Sequence, residues 1–242
     1  MRNFGNTCYF NSTLQCLLQV FTVKNYKGTC EITKAFEKLC CTHDPEEILR
    51  LFQARFLQFA PGQPHDAQEA LIHLLDIFEP IIKNFVQGEM IQETICPSGT
   101  VKTIVQTVVI SLPVAESRRV PDCLKKFQEW NALGDYQDNA GKVWNVSATR
   151  TIFSKLPKVL ILSINDKTII DVDETLMIDK FKYILVATCI HMGNRNGGHY
   201  VALIKDQNTW VLKDDEIEQR LDAFPRLHSH YFMIYNLENS TN

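Results

Sequence analysis

The sequence predicts an α+β fold in which a helical part precedes a mainly antiparallel sheet. Up to about residue 85, apolar residues recur at spacings of three and four, which is typical of helices with one buried face. From about residue 91 the pattern changes to alternating or continuous β-branched runs, which is typical of strands. Because helices come first and strands second, we expect a helical lobe packed against a sheet.

Size and composition limit the classes of protein to consider. The chain of 242 residues, 45% hydrophobic and 22% charged, is long enough for one sizeable core. Its net charge of −3 and the absence of a Lys/Arg run argue against a nucleic-acid partner. No signal peptide or long apolar run is visible, so no membrane contact is expected. The eight cysteines form no CxxC pair, which indicates reduced thiols. We expect an intracellular monomer, cytoplasmic or nuclear (in the host cell if the chain is viral).

The first candidate for chemistry is Cys8, where a turn passes into a helix. Small and polar residues precede it, and the apolar residues that follow have helical spacing. The unpaired N–H groups and the dipole of a helix start favour a thiolate, which is a competent nucleophile. The alternative is a small buried cysteine without a chemical role.

Two further helix starts follow. Asp44 is predicted as an N-cap with Pro45 as the first helical residue. Residues 66–69 form a capping box, in which Asp66 is the cap and Glu69 the third helical residue. The helix that begins there is predicted to run to about Phe85.

The second part of the chain predicts seven strands and one short helix. The strands cover residues 91–95, 100–112, 143–153, 159–164, 183–191, 200–204 and 231–235. The short helix covers about 121–130. The Gly- and Asp-rich residues 131–142 are predicted as a loop.

A glycine-rich loop near residue 195 ends in His199, at the start of a strand. A polar turn follows, and then a second strand that reaches Asp214. A hairpin across this turn places Asp214 beside His199. The imidazole could then take the thiol proton or pair with the thiolate, while the carboxylate fixes its tautomer. A lone histidine at a strand end is usually only exposed, but Cys8, His199 and Asp214 in this order indicate a thiol hydrolase.

These segments resemble the ubiquitin-specific protease family (ubiquitin carboxyl-terminal hydrolases). Residues 3–15 resemble its cysteine box, residues 191–200 with 210–215 its histidine box, and residues 65–69 the acidic motif on the helix between them. The resemblance extends from residue 2 to about 236 and is thin between about 85 and 150.

The resemblance implies a papain-like cysteine protease fold formed by one catalytic domain over residues 1–242. Its parts would be a helical thumb (about 1–90), reduced β fingers (about 91–150) and an antiparallel β palm (about 151–237). The implied reaction is hydrolysis of the (iso)peptide bond after the C-terminal glycine of ubiquitin, through a thioester. The implied partners are ubiquitin and ubiquitinated proteins.

The resemblance also implies residue roles. Cys8 would be the nucleophile, His199 the base and acid, and Asp214 its orienting group. Asn3 would donate to the oxyanion. Asp66, Glu69 and Tyr200 would hold the ubiquitin tail, whose arginines pair well with acids; the alternative for Asp66 and Glu69 is the capping box alone. Asp215 would be a second polar helper or simply exposed.

The fingers depart from the family, which often holds zinc there with two CxxC pairs. Of the first CxxC pair this chain has one cysteine, Cys96. Residues 130–144, where the second pair would lie, contain no cysteine. A structural zinc site needs about four ligands, so we expect no metal and no other cofactor. Strand pairing and apolar packing would hold the fingers instead, through Ile95, Val101, Ile104, Val108 and Val146.

Two alternative functions stay open. The first is a non-catalytic ubiquitin-binding pseudoprotease, which would require the loss of the cysteine, the histidine or the acid. The second is the same hydrolase acting on a ubiquitin-like modifier with a similar tail.

Overall fold

The computed structural model describes residues 1–22, 27–164, 168–194 and 197–238, with the backbone only for Asn194. Its helices are α1 (Cys8–Leu17), α2 (Glu31–Thr42), α3 (Glu46–Arg55), α4 (Ala67–Val86) and α5 (Val120–Phe127). The first four precede every strand, as predicted. The helix predicted from Pro45 begins one residue later, because Pro45 is the N-cap; the side chain of Asp44 accepts a hydrogen bond from the Glu46 amide at 3.1 Å. Within the described ranges, none of these helices is long and apolar enough to cross a membrane.

The strands follow in chain order. They are β1 (Gly88–Cys96), β2 (Gly99–Thr107), β3 (Val109–Leu112), β4 (Asn131–Leu133), β5 (Tyr136–Gln137), β6 (Val143–Trp144), β7 (Ser147–Lys155), β8 (Val159–Ile164), β9 (Ile170–Asp171), β10 (Thr175–Ile178), β11 (Phe181–Asn194), β12 (Gly197–Asp206), β13 (Thr209–Asp214), β14 (Ile217–Leu221), β15 (Leu227–His228) and β16 (His230–Leu237).

Three predictions about these strands are wrong in detail. The predicted strand 143–153 is interrupted, because β6 pairs with β5 whereas β7 belongs to another sheet. The predicted strand 100–112 is split into β2 and β3, which join different sheets. The predicted loop 131–142 contains β4 and β5, since β4 pairs with β7 and β5 with β6. Pairing with neighbouring strands overrides the local preference of glycine and aspartate for loops.

The larger sheet has apolar residues on both faces, and its central strands are buried. Its strand order is β14-β13-β12-β11-β16-β8-β3, with β10 paired to β11; β3 runs parallel to β8 and the other neighbours are antiparallel. One face packs against α1–α4, and the other packs against a second apolar cluster that includes α5. Every residue of β8 is buried, and five of its six residues are apolar, Ser163 being the exception.

The smaller sheet has the order β2-β1-β7-β4 and is antiparallel throughout. It corresponds to the part predicted as fingers, and strand pairing does hold it together. The predicted apolar packing is wrong for three residues, because Ile95, Ile104 and Val146 are 42%, 64% and 72% exposed. Because these three side chains are exposed, they do not form a packed core. Contacts other than apolar packing must therefore order this region.

Candidate active site

Cys8 is the first residue of α1, as the sequence predicts, and is half-buried. The carbonyl of Thr7 accepts hydrogen bonds from the amides of Phe10 and Asn11, both at 3.0 Å, which closes the first turn. The helix is fixed by its apolar side, where Phe10 and Leu14 are fully buried in the core that α1–α4 share with the sheet. The sulfur therefore lies at a rigid helix start.

The electrostatics of Cys8 differ from the sequence prediction. Burial raises the pKa of its thiol, and the charge of Asp215 adds to the rise. The backbone N–H groups of Tyr200, Tyr9 and Cys8 point to the sulfur and lower the pKa, but they do not offset the burial. The surroundings of Cys8 therefore raise the pKa of its thiol instead of lowering it, contrary to the effect expected from the helix start.

His199 and Asp214 lie on the paired strands β12 and β13. Nε2 of His199 is 2.5 Å from Oδ1 of Asp214, and both side chains are about one-third exposed. The hairpin register, which pairs Ala202 with Lys213, produces the predicted juxtaposition. In the described part of the chain, no hydrogen bond joins His199 to Cys8. Catalytic hydrogen bonds are often long before substrate binds.

Two glycines allow β11 and β12 to approach each other in front of His199. Gly193 has φ +144°, and a Cβ there would lie 2.5 Å from the carbonyl oxygen of Gly197. A Cβ on Gly198 would lie 2.4 Å from Nε2 of the buried His191. Larger residues would push the strands apart and move His199. Residues 195 and 196 of the predicted loop lie outside the described residues.

The segment before Cys8 is tied to the turn after Asp214. Asp215 has φ +50° and accepts hydrogen bonds from the amide nitrogens of Asn3 and Asn11, both at 2.7 Å. The side-chain oxygen of Asn3 accepts bonds from the amides of Gly5 and Thr7. Asn3 is exposed but is held at both ends of its side chain. Asp215 is therefore an acceptor for two asparagines.

Donor atoms of His199, Asp214 and Asp215 lie within 4.8 Å of one another, close enough to hold a cation. Asp214 already accepts from His199, and both oxygens of Asp215 accept from asparagines. These hydrogen bonds account for the cluster without a metal.

Asp66 is the N-cap of α4 and also contacts two tyrosines. Its Oδ1 accepts from the amides of Gln68 and Glu69, at 2.8 and 3.2 Å. Its Oδ2 accepts from the hydroxyls of Tyr200 at 3.2 Å and Tyr231 at 2.7 Å. Four donors therefore surround this carboxylate. Glu69 does not return a bond to the cap, so the predicted reciprocal capping box is wrong, and Glu69 stands exposed.

A cleft of about 350 Å³ contains several of the predicted site residues. Cys8, Asp66, Glu69 and Tyr200 line it, together with the backbone of Gly197 and Gly198. A larger cavity of about 630 Å³ between α2 and the β12–β14 strands contains none of the predicted site residues. The cleft is open to solvent.

Three residues near the cleft had no predicted role. Asn11 holds Asp215, Tyr231 holds Asp66, and His191 packs its ring 4.8 Å from that of Tyr200. Asn11 lies three residues after Cys8, one helical turn along α1. This spacing places it on the same side of the helix as Cys8 and could have indicated a role near the site. The position of Tyr231 depends on the pairing of β16 with β11, and no local pattern reveals it.

Two similar proteins are both described as ubiquitin carboxyl-terminal hydrolases. The human ubiquitin carboxyl-terminal hydrolase 17-like protein 23 is 30% identical over 92 residues, which cover 33% of this chain and only half of that protein. The ubiquitin carboxyl-terminal hydrolase 12 of Salmo salar is 23% identical over 91% of this chain and 81% of its own length.

Solved structures match the fold. A SAGA DUB module of Ubp8, Sgf11, Sus1 and Sgf73 bound to monoubiquitin superposes with a TM-score of 0.85 at 17% identity, covering 98% of this chain and 68% of that one. The same module bound to ubiquitin aldehyde gives 0.83 at 18% identity, covering 98% and 69%. The papain-like α+β fold of these deubiquitinases is thus the fold of this chain. Because the family model described as ubiquitin carboxyl-terminal hydrolase matches residues 1–235, the chain belongs to the ubiquitin carboxyl-terminal hydrolase family.

Proposed function

We propose that this protein is a deubiquitinating cysteine protease that hydrolyses the bond after the C-terminal glycine of ubiquitin. The observation that carries the proposal is the His199–Asp214 pair, 2.5 Å apart, on the sheet against which the Cys8 helix packs. Family membership and the deubiquitinase fold support the choice of substrate. In this assignment the helical part is the thumb, the four-stranded sheet the fingers and the larger sheet the palm.

His199 acts first as a general base. Because burial raises the pKa of the Cys8 thiol, the reaction needs proton removal as the sulfur attacks. Asp214 accepts from Nε2 of His199, which leaves the lone pair of the neutral ring on Nδ1. Nδ1 takes the Cys8 proton, and the thiolate attacks the carbonyl carbon of the terminal glycine. The imidazolium then protonates the departing amine, leaving a thioester that water hydrolyses with His199 again as base.

Asn3 supplies a donor to the oxyanion. Its amide nitrogen has two hydrogens, and Asp215 accepts one of them. The second hydrogen remains for the negative oxygen that develops in the tetrahedral intermediate. Asp215 acts through Asn3, as a positioning residue, because it fixes the amide orientation before substrate arrives. Phe4 helps, since its half-buried ring packs against the helical core.

The ubiquitin tail lies in the cleft between α4 and β12. Asp66 is surrounded by four donors, so its main role is to hold Tyr200 and Tyr231 and to begin α4. Glu69 is exposed at the same cleft and is the better partner for a tail arginine. Tyr200 forms the wall opposite Glu69, and its backbone amide contacts Cys8.

The first prediction tests the function with a panel of ubiquitin and ubiquitin-like probes that carry a C-terminal electrophile. Ubiquitin should label Cys8, and Cys8→Ala should lose turnover by at least about 10³-fold while still binding ubiquitin, since the sulfur contributes chemistry more than contact area. The exposed Cys41→Ser is the matched control and should keep full activity. Labelling of Cys16 or Cys189, or labelling only by another modifier, would contradict the proposal.

The second prediction follows from the raised pKa of Cys8. Alkylation of Cys8 by iodoacetamide in the free protein should increase about tenfold per pH unit from pH 6 to 8, because the thiolate fraction rises with pH below the pKa. Peptide mass spectrometry gives the rate at each cysteine. Cys30 is an internal reference: slight burial raises its pKa, but hydrogen bonds from Thr33 outweigh this and the net pKa is lowered. A rate at Cys8 that is already constant from pH 6 would indicate a preformed ion pair instead.

The third prediction concerns the oxyanion donor. Asn3→Ala should lower kcat about 10²–10³-fold with little change in KM, the usual loss for one such donor. Asp215→Asn should give part of this loss. If Asp215 acts through Asn3, the double variant should be no slower than Asn3→Ala alone. Losses that multiply, or an Asn3→Ala enzyme within about twofold of the parent, would refute this assignment.

The fourth prediction separates the two acids of α4. Glu69→Gln should raise KM for a ubiquitin substrate about three- to tenfold with kcat unchanged, because one solvent-accessible ion pair is lost. Asp66→Asn should also lower kcat and Tm, since an amide cannot accept from the two backbone amides and the two tyrosines together. Glu79→Gln, an exposed change of the same charge on the same helix, should have no effect. An unchanged KM for Glu69→Gln would exclude it from tail binding.

A further inference from the structure

The tip of the four-stranded sheet is the place where the family often holds zinc. This tip consists of the turn Cys96–Gly99 and the residues 136–144, which include β5 and β6. Exposed apolar side chains surround it, so the apolar packing expected from the sequence does not order it. The turn and the loop are nevertheless joined by specific contacts.

The residues of the tip do not fit a zinc ion. Cys96 is the one thiol, and it is buried with its sulfur 2.9 Å from the hydroxyl of Ser98. The second position of a CxxC pair is Gly99, whose φ of +139° is a conformation that cysteine rarely adopts. Residues 130–144 contain neither cysteine nor histidine. A site of four cysteines would therefore lack three of its four ligands.

A single carboxylate occupies the centre of the tip. Oδ1 of Asp138 accepts from the backbone amides of Ala140 and Lys142, both at 2.9 Å. Oδ2 accepts from the indole Nε1–H of Trp144 at 2.8 Å and from the hydroxyl of Ser98 at 3.1 Å. Four donors thus converge on one side chain, as four ligands converge on a metal.

These contacts join the same two segments that a zinc ion would join. Ser98 lies in the turn between β1 and β2, whereas Trp144 lies in β6, so Asp138 connects both to its own loop. The ammonium group of Lys142 lies 3.9 Å from the centre of the Trp144 ring and covers the indole. The hydrogen bonds, led by that of Trp144, lower the pKa of Asp138, as expected for a carboxylate held in its charged form.

We infer that the Asp138 carboxylate, with Ser98 and Trp144, replaces the zinc ion of the family's fingers as the group that orders the tip. The fold of this region therefore depends on one ionised side chain and does not require a metal. The contact that matters most is the one to the indole, because Trp144 has no other acceptor among the described residues.

The test compares Asp138→Asn with Asp135→Asn in the full chain. Asp135 lies in the same loop, is exposed and makes no contact in the described structure, so it is matched in charge and position. An asparagine has the shape of aspartate but can no longer accept from Ala140, Lys142, Ser98 and Trp144 together. The readouts are the indole N–H resonance of Trp144, assigned with Trp144→Phe, and amide hydrogen exchange at residues 140 and 142.

In Asp138→Asn the Trp144 indole resonance should move upfield, and exchange at residues 140 and 142 should accelerate about tenfold or more. Asp135→Asn should match the parent in both readouts. Alkylation of Cys8 should be unchanged in both variants, which shows that the rest of the fold is intact. An unmoved indole resonance in Asp138→Asn would overturn the inference.

The metal content gives an independent test. The purified protein should contain no stoichiometric zinc by elemental analysis, and a strong chelator should shift its Tm by less than about 1 °C, because no structural ion contributes to folding. About one zinc per chain, removed by the chelator together with several degrees of Tm, would also overturn the inference.

Discussion

The active site depends on the packing of α1 against the larger sheet. The proposed nucleophile and the proposed base belong to different layers, with Cys8 at the start of α1 and His199 on β12. Small residues on the helix-facing side of the sheet, Ala187, Cys189 and Ala202, allow the close approach of α1. A shift of this helix by 1 Å would change the distance between sulfur and imidazole without altering either element, and reactions of this kind are sensitive to such displacements.

Carboxylates organise three separate parts of the protein. Asp215 joins the segment before Cys8 to the β13–β14 turn, Asp66 joins α4 to β12 and β16, and Asp138 joins the two halves of the tip. Each accepts at least two hydrogen bonds and has a fixed position. An acid in a binding cleft is therefore available to a substrate only if its oxygens are not already occupied, which is the difference between Asp66 and Glu69.

Local patterns predicted most of the fold and the composition of the site. The helical spacing after Cys8, the cap at Asp66 and the hairpin before Asp214 are each determined within about fifteen residues, and the structure has all three. The errors arise where contacts between distant segments determine the local structure or the pKa of a side chain. The strand β4 exists because β7 pairs with it, and the pKa of Cys8 reflects burial between two layers. Tyr231 reaches Asp66 across 165 residues of sequence, a contact that only the order of the sheet produces.

The backbone at Gly99 limits how this tip can change during evolution. A cysteine at that position would meet an unfavourable φ of +139° and distort the hairpin before it gained any affinity for a metal. One new thiol beside Cys96 would still leave two ligands missing. Sequences that acquire these cysteines one at a time would thus pass through intermediates with a strained turn and an incomplete metal site. Replacement of the whole hairpin turn in one step avoids those intermediates, whereas a series of point substitutions does not.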